Sequence, residues 1–371
     1  MSRRVSPHTE HQHGVRPNDH HDTYEIETNI TRSTSITKRE SDIEHREGSL
    51  SVQEVEEEDL PHHLYVYEEP NHVTSFPNRW SRIRYWLREP AAEFLGTMIL
   101  IIFGNGVDCQ VVLSGSTNVS PAPKGDYLSI SFGWGVGTAM GVWVSGGYSG
   151  GHINPAVTIA LATFRQFPWW KVPIYILAQV LGAFTGALIT YATYFHALDA
   201  FEGKGVRTVP GTAALFATYA MGYETSVSCF FDEFLGTALL VIGVLAITDK
   251  KNGPPPAGLV PLVLFLLILG EGACLGMNTA YAINPARDLG PRIMTWIFYG
   301  REVFNYRHQY WLWTPILGPI FGGLAGAFVY DAFCFTGAES ILNKPNATAR
   351  RHHERAMKSA RDKIPAGIDN V

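Results

Sequence analysis

The sequence predicts an all-α membrane protein with six transmembrane helices, two re-entrant half-helices and an inverted repeat of three plus three spans. Three observations lead to this prediction. Long apolar runs with few charges fill the middle of the 371-residue chain, between polar terminal segments. Two motifs recur in the same order in both halves of that region. The second motif of each half precedes an apolar stretch that is too short to cross a bilayer.

The apolar region, residues 90–335, contains six segments close to the 20 or so residues that a transmembrane helix needs. These segments are 91–113, 127–148, 172–195, 230–247, 258–278 and 311–333. Six crossings place both termini on one side of the membrane. Basic residues concentrate on that side, before the first span, after the second and fourth spans and in the C-terminal segment. The positive-inside rule therefore predicts cytoplasmic termini.

The two terminal segments have compositions that cannot build a hydrophobic core. Residues 1–89 are rich in His, Glu, Ser, Thr and Arg, which predicts a disordered N-terminal tail, and residues 336–371 form a polar C-terminal tail. The first apolar run begins near residue 91, so no N-terminal signal peptide is visible. The net charge of -5, without a sustained basic patch, predicts no nucleic-acid partner. The four cysteines show neither metal nor disulfide spacing.

The repeated motifs relate the two halves of the membrane region. Residues 93–97 and 233–237 both read Glu-Phe-Leu-Gly-Thr, at the start of the first and fourth spans. Residues 151–156 and 281–286 both end in Ile-Asn-Pro-Ala, after the second and fifth spans. Each half has three spans, so the second half enters from the opposite side and an axis in the membrane plane relates equivalent elements.

The short apolar stretches, about 155–163 and 285–295, each begin with a helix-start signal. The two signals are Asn154, Pro155 and Ala156, and Asn284, Pro285 and Ala286. Asn suits the cap and Pro the first helical position. Half-helices that enter from opposite faces would meet near the midplane, with the two asparagines side by side. Their positive N-termini would repel cations, and the amides would orient a water so that it cannot relay protons.

Two acids within the membrane region open the repeated spans. We expect Glu93 and Glu233 to accept hydrogen bonds from backbone donors of the re-entrant loops, which is a structural role. The alternative is a direct role in permeation.

At these motifs the sequence resembles the aquaporin superfamily, also called the major intrinsic proteins, over about residues 88–335. The resemblance implies an aquaporin-like bundle of six tilted helices and two half-helices, and a homotetramer with one pore per subunit. Asp288 after Arg287, Arg292, and Pro315 with Ile316 in the last span resemble the aquaglyceroporin branch, which conducts glycerol. We expect Asp288 to brace the second half-helix or to pair with a neighbouring basic group.

The narrowest ring of that branch is aromatic, small, aromatic and arginine, and the resemblance carries these positions to Trp134, Gly272, Tyr281 and Arg287. The two aromatic side chains would form a flat apolar corner for the carbons of glycerol. Arg287 would donate hydrogen bonds to the hydroxyls. Gly272 contributes no side chain, so the ring is expected to widen and another helix to pack behind it. Water-selective relatives usually have His at the position of Gly272.

The predicted function is passive conduction of glycerol and water, with exclusion of ions and protons, across a lipid bilayer that is most simply the plasma membrane. We predict no cofactor or metal, and the sequence offers no nucleophile–base pair that would indicate an enzyme. One alternative is a water-dominated pore with minor glycerol conductance. Another is a secondary transporter, for which Glu93 and Glu233 are the only candidate coupling sites. A third is a non-conducting adhesion or signalling protein with the same fold.

Overall fold

A computed structural model describes residues 78–361 of the chain, and the regular secondary structure of this part consists of helices. Most of the predicted N-terminal tail, residues 1–77, lies outside the described residues. The principal helices are α1 Arg79–Ser114, α2 Tyr127–Ser149, α3 Pro155–Phe164, α4 Val172–Glu202, α5 Ser226–Thr248, α6 Val260–Leu275, α7 Pro285–Tyr299, α8 Gly318–Phe333 and α9 Ala347–Arg361. Short helical turns join several of them. The predicted all-α class is confirmed.

Six helical segments are long enough to span a membrane when their flanking turns are included. Four of them, α1, α4, α5 and α6, are also apolar enough when their flanking turns are included, and so is the segment Tyr310–Phe333 that ends in α8. Helix α2 has 23 residues and is rich in glycine and serine, and at 1.5 Å per residue it is about 35 Å long. Helices α3 and α7 have only 10 and 15 residues. The structure thus has six spans and two half-helices.

The two halves of the bundle interlock through their half-helices. Helix α3 belongs to the first half of the sequence but packs against α8, and α7 of the second half packs against α4. Within each half the outer helices also correspond, since α1 packs on α4 and α5 packs on α8. The exchange is matched in the two halves, as an inverted repeat of three spans predicts.

Glycines allow the closest helix contacts, again in matched pairs. Gly182 of α4 lies against the carbonyl oxygen of Phe94 in α1, and Gly322 of α8 lies against that of Phe234 in α5. A Cβ atom at either glycine would overlap the facing oxygen. Small residues at such positions let helix backbones approach closely in membranes.

One end of the bundle, called here the terminal face, carries the start of α1 and the end of α8. Two ion pairs tie its helices together, with N–O distances of 2.7 Å between Arg165 and Asp331 and 2.6 Å between Lys171 and Glu89. The opposite end, called here the loop face, carries residues 115–126, 203–225 and 300–310.

Helix α1 starts before residue 90, the predicted start of the membrane domain. Helix α1 begins at Arg79, so residues 79–89 are helix and not tail. The physical reason lies in the capping: the side chain of Asn78 accepts from the backbone of Ser81, and the hydroxyl of Ser81 accepts in return. Pro90 is accommodated inside the helix.

Three other boundaries differ from the predictions. Helix α4 continues to Glu202, so the connection to α5 is shorter than predicted. The last span opens with a wide helical turn, Trp313–Leu317, which contains Pro315. The polar C-terminal tail contains the exposed helix α9, Ala347–Arg361.

Candidate pore

The two half-helices meet N-terminus to N-terminus inside the bundle. Asn154 caps α3, and its Oδ1 accepts from the backbone nitrogen of Ala156 at 2.8 Å. Asn284 caps α7, and its Oδ1 accepts from Ala286 at 3.0 Å and Arg287 at 3.2 Å. In both cases the side-chain oxygen satisfies the free donors of a helix start, as an N-cap does. Each amide therefore turns its oxygen toward its own helix.

The nitrogens of the two asparagine amides cross to the opposite loop. Asn154 Nδ2 donates to the carbonyl of Ile283 at 2.9 Å, and Asn284 Nδ2 donates to the carbonyl of Ile153 at 2.8 Å. An amide nitrogen has two N–H groups, so one on each asparagine stays available. Both asparagines line the central cavity. The arrangement therefore presents fixed donors, and not acceptors, to that cavity.

The loops that deliver the asparagines are strained. Ile153 and Ile283 have backbone φ angles of 41° each. Positive φ is rare for β-branched residues, so both conformations must be held by their surroundings. Identical values at matched positions indicate that the repeat extends to the backbone geometry.

Glu93 holds the first loop. Its carboxylate accepts from the backbone nitrogens of His152 at 2.9 Å and Ile153 at 2.7 Å. It also accepts from the Oγ of Ser149 at 2.6 Å and from the Nε2 of Gln179 at 2.7 Å. Glu93 is fully buried, so these donors replace the water that the carboxylate loses.

Glu233 holds the second loop in the same manner. Its carboxylate accepts from the backbone nitrogens of Ala282 at 2.8 Å and Ile283 at 2.7 Å, and from Thr279 Oγ1 at 2.7 Å. It is also fully buried. The oxygens of both carboxylates are thus engaged by loop donors.

A central cavity of about 160 Å³ follows the two loops. It extends from Thr248 and Val260, near the terminal face, past both asparagines to the aromatic residues of the predicted ring. Aliphatic side chains from α2, α3, α5 and α6 form much of its lining, together with loop backbone and His152. A path that is mostly apolar with a few fixed polar groups suits small uncharged solutes.

Three members of the predicted ring, Trp134, Tyr281 and Arg287, line the cavity together. The guanidinium carbon of Arg287 lies 3.9 Å from the centre of the Trp134 ring, which is a cation–π contact. Its Nη1 donates to the carbonyl oxygen of Phe216 at 3.3 Å. Phe216 belongs to the connection between α4 and α5, so this connection reaches inward and anchors the arginine.

Comparisons with known proteins agree with this geometry. The sequence profile described as "Major intrinsic protein" matches residues 79–330. The chain belongs to the major intrinsic protein family. It is 58% identical over 278 residues to aquaporin-6 of Laccaria bicolor, covering 74% of this chain and 89% of the relative. It is 47% identical over 281 residues to the aquaglycerol porin AQY3 of Saccharomyces cerevisiae, covering 75% of this chain and 42% of that protein.

A solved structure is similar as well. The X-ray structure of the aquaglyceroporin from Plasmodium falciparum superposes with a TM-score of 0.59 at 31% identity, covering 67% of this chain and 96% of the other. Members of the major intrinsic protein family are passive channels for water and small solutes. This family member is therefore a membrane channel and not an enzyme, and the predicted aquaporin-like fold is confirmed.

Gly272, the fourth member of the predicted ring, lies beside Tyr281. It is not among the residues that line the cavity. A Cβ atom there would lie 2.9 Å from the hydroxyl oxygen of Tyr281 and 3.0 Å from the Oγ of Ser131. The missing side chain therefore leaves room for the hydroxyl of Tyr281. That this space widens the ring stays a prediction.

Asp288 and Arg292 form a fully buried ion pair within α7, with 2.6 Å between Arg292 Nε and Asp288 Oδ1. Asp288 Oδ2 also accepts from the backbone nitrogen and hydroxyl of Thr218, at 2.8 Å and 2.7 Å. Arg292 donates to the carbonyls of Thr218 at 2.6 Å and Val303 at 2.8 Å. Asp288 thus pairs with a neighbouring basic group and braces the second half-helix, as expected. It also fixes the connection that carries Phe216.

The glycerol-branch markers in the last span do not reach the pore. Pro315 is buried in the wide turn before α8 and Ile316 is partly buried, and the residues that line the cavity include neither of them. Their contribution is to the packing of that span.

Sequence reasoning missed Asn105, a buried residue of α1. Its Nδ2 donates at 3.0 Å to the carbonyl of Phe216, the acceptor that also holds Arg287. A polar residue inside an apolar span was the available signal, but its partner is more than a hundred residues away.

Proposed function

We propose that the channel conducts glycerol as well as water and excludes ions and protons. The observation that carries the proposal is that Trp134, Tyr281 and Arg287 line the cavity together. Two aromatic rings form an apolar wall for carbon atoms, and a guanidinium with five N–H groups faces the same space. One of these groups is engaged by Phe216, and the remaining groups suit the hydroxyls of a polyol. The named function of AQY3 and of the Plasmodium falciparum protein supports the same substrate class.

Exclusion of ions follows from fixed positive charge and fixed donors. The N-termini of α3 and α7 meet at the cavity, and each carries roughly half a positive charge. Arg287 adds a full charge, and stripping a cation of water beside it is costly. Asn154 and Asn284 each use one amide N–H for a carbonyl of the opposite loop and keep the other, so a water that accepts from both cannot pass a proton onward.

We further propose a homotetramer in the plasma membrane with both termini in the cytoplasm. The basic residues of the terminal face, such as Arg165, Lys171 and Lys251, support this orientation by the positive-inside rule. Large apolar side chains are exposed along the spans, for example Phe132 and Leu177, and require lipid or neighbouring subunits to cover them.

A water-dominated pore with minor glycerol conductance is the second candidate. The hydroxyl of Tyr281, which lies beside Gly272 and Ser131, favours it because it adds a polar group to the ring and fills space. A transporter with a coupling site at Glu93 or Glu233 has no such support, since loop donors engage both carboxylates.

Stopped-flow light scattering on proteoliposomes tests the proposal. Vesicles that contain the protein should shrink rapidly in an impermeant osmolyte, which reports water flux. In glycerol they should shrink and then reswell much faster than empty vesicles. Rapid water flux with reswelling as slow as in empty vesicles would favour the water-dominated pore.

A pair of variants sharpens this test at the ring. We expect Gly272→Ala to lower glycerol permeability more than water permeability, because the new methyl group would push the Tyr281 ring into the pore. Adding Tyr281→Phe removes the nearest overlapping atom and should restore part of the glycerol flux. Equal losses of water and glycerol flux in Gly272→Ala, without recovery in the double variant, would contradict the proposed ring.

A further inference from the structure

Helix α1 carries an acidic side chain next to the ring. The two carboxylate oxygens of Asp108 lie 3.2 Å and 3.3 Å from the indole nitrogen of Trp134, which donates to them. Trp134 lines the cavity and is almost fully buried, whereas Asp108 is not among the lining residues. Asp108 is partly exposed, and it contacts the cavity lining by accepting from the indole of Trp134.

The same helix also leaves space for the indole ring. Gly104 lies one turn before Asp108, and a Cβ atom there would overlap the six-membered ring of Trp134. Residues four apart share one face of a helix, so Gly104 and Asp108 act on the indole together. Gly104 lets the ring approach, and Asp108 fixes its rotation by holding the N–H edge.

Arg287 completes the environment of the indole. Its guanidinium lies over the ring face, while Asp108 holds the ring edge. Rotation of the indole would break the hydrogen bond and the cation–π contact at once. An unpaired indole N–H in a buried site is unfavourable, so the bond to Asp108 favours one orientation.

We propose that Asp108 is a positioning residue that sets the preference of this pore for glycerol over water by fixing the orientation of Trp134. The inference rests on the proposed function, in which the ring conducts glycerol. A glycerol molecule needs a flat wall at a fixed distance from Arg287. The carbon edge of glycerol must contact that wall while its hydroxyl edge accepts hydrogen bonds from the arginine. Water has no carbon edge and is less sensitive to the orientation of that wall.

The test compares two replacements of Asp108 in proteoliposomes. Asp108→Leu removes the acceptor, and we expect glycerol permeability to fall roughly three- to tenfold, the factor that one lost hydrogen bond represents. Water permeability should change by less than about twofold. Asp108→Asn keeps an acceptor oxygen and loses the charge, so its ratio of glycerol to water permeability should stay close to that of the unaltered channel. If Asp108→Asn behaves like Asp108→Leu, positioning through this hydrogen bond is wrong.

A double-mutant cycle separates positioning from a general structural role. Trp134→Phe lacks the indole N–H, so adding Asp108→Leu to it should cause little further change in the permeability ratio. If the two substitutions lower the permeability ratio independently, so that their factors multiply in the double variant, the proposal is wrong. Gln110→Leu is the matched control, because Gln110 is an exposed polar residue of α1 and its amide contacts only a loop carbonyl at 3.4 Å.

The experiment also distinguishes failure of the inference from failure of the proposed function. Absence of glycerol flux in the unaltered channel would reject the proposed function. Glycerol flux in the unaltered channel together with an unchanged ratio in Asp108→Leu would reject the role of Asp108 alone. If the leucine variant does not reconstitute, Asp108→Ala removes the same acceptor without adding bulk and carries the same expectations.

Discussion

Helices α1 to α4 and helices α5 to α8 hold their half-helices by the same means. In each half a buried glutamate accepts two consecutive backbone N–H groups of the loop before the capping asparagine. In each half a glycine of the last span lies against the carbonyl of the phenylalanine that follows that glutamate. The asparagines then bond across to the loop of the other half. This set of contacts, called here the frame, is therefore the same in the two halves.

The residues that follow the asparagines differ between the halves. Counted from the cap, Val157 stands in α3 where Arg287 stands in α7, and Thr158 stands where Asp288 stands. Val157 offers the cavity an aliphatic side chain. Thr158 Oγ1 contacts the neutral side chains of Gln179 and His152. Among the third and fourth residues after the two capping asparagines, charged side chains thus occur only in the second half.

The largest expected effect comes from the buried ion pair of the second half. Asp288→Asn leaves the buried Arg292 without its counter-charge, which should cost about 3–5 kcal/mol of stability. The matched change in the first half, Thr158→Val, removes only neutral hydrogen bonds and should cost about 1 kcal/mol. Thermal unfolding in detergent, followed by circular dichroism, measures both. Similar losses in the two variants would mean that the halves do not differ as described.

The glutamates should show the symmetry of the frame. Glu93→Gln and Glu233→Gln each replace an accepting oxygen with a donor that faces a backbone N–H, at a cost of about 2–3 kcal/mol. Glu93→Gln should be slightly worse, because Glu93 also holds Gln179. Glu89→Gln is the control in the same helix, since its partly exposed pair with Lys171 should be worth less than about 1 kcal/mol. Full thermal stability in either glutamine variant would argue against the role of these carboxylates in holding the loops.

The smallest expected effects concern the glycine contacts. Gly182→Ala and Gly322→Ala should each cost about 1–3 kcal/mol, because the added methyl group must separate two packed helices. Gly106→Ala is the control, since a Cβ atom there would have no neighbour within 4 Å. Unfolding temperatures measure these effects. If only one of the two alanine variants were destabilised, the two glycine contacts would not be equivalent.

Much of this frame could be predicted from the sequence because its signals are local. The repeat of Glu-Phe-Leu-Gly-Thr, the Asn-Pro starts of α3 and α7 and the apolar spans each lie within a few adjacent residues. Residues 79–89 have a polar composition like that of a tail, so composition alone does not indicate the helix that begins after the cap at Asn78.

The parts that escaped prediction depend on contacts between distant residues. Phe216 became important only because folding brings its carbonyl to both Asn105 and Arg287. The position of Gly272 behind Tyr281 likewise follows from the packing of α6 against a loop. Neither relation has a spacing or a local motif that would reveal it.

The central claim is that the pore at Asn154 and Asn284 passes neutral solutes and blocks protons. Glycerol flux and proton flux recorded in the same vesicles test it most directly. Vesicles loaded with a pH-sensitive dye and carrying a pH gradient would be mixed with glycerol in a stopped-flow instrument. The account predicts rapid reswelling while the internal pH remains constant on that time scale. Collapse of the gradient during reswelling would contradict it.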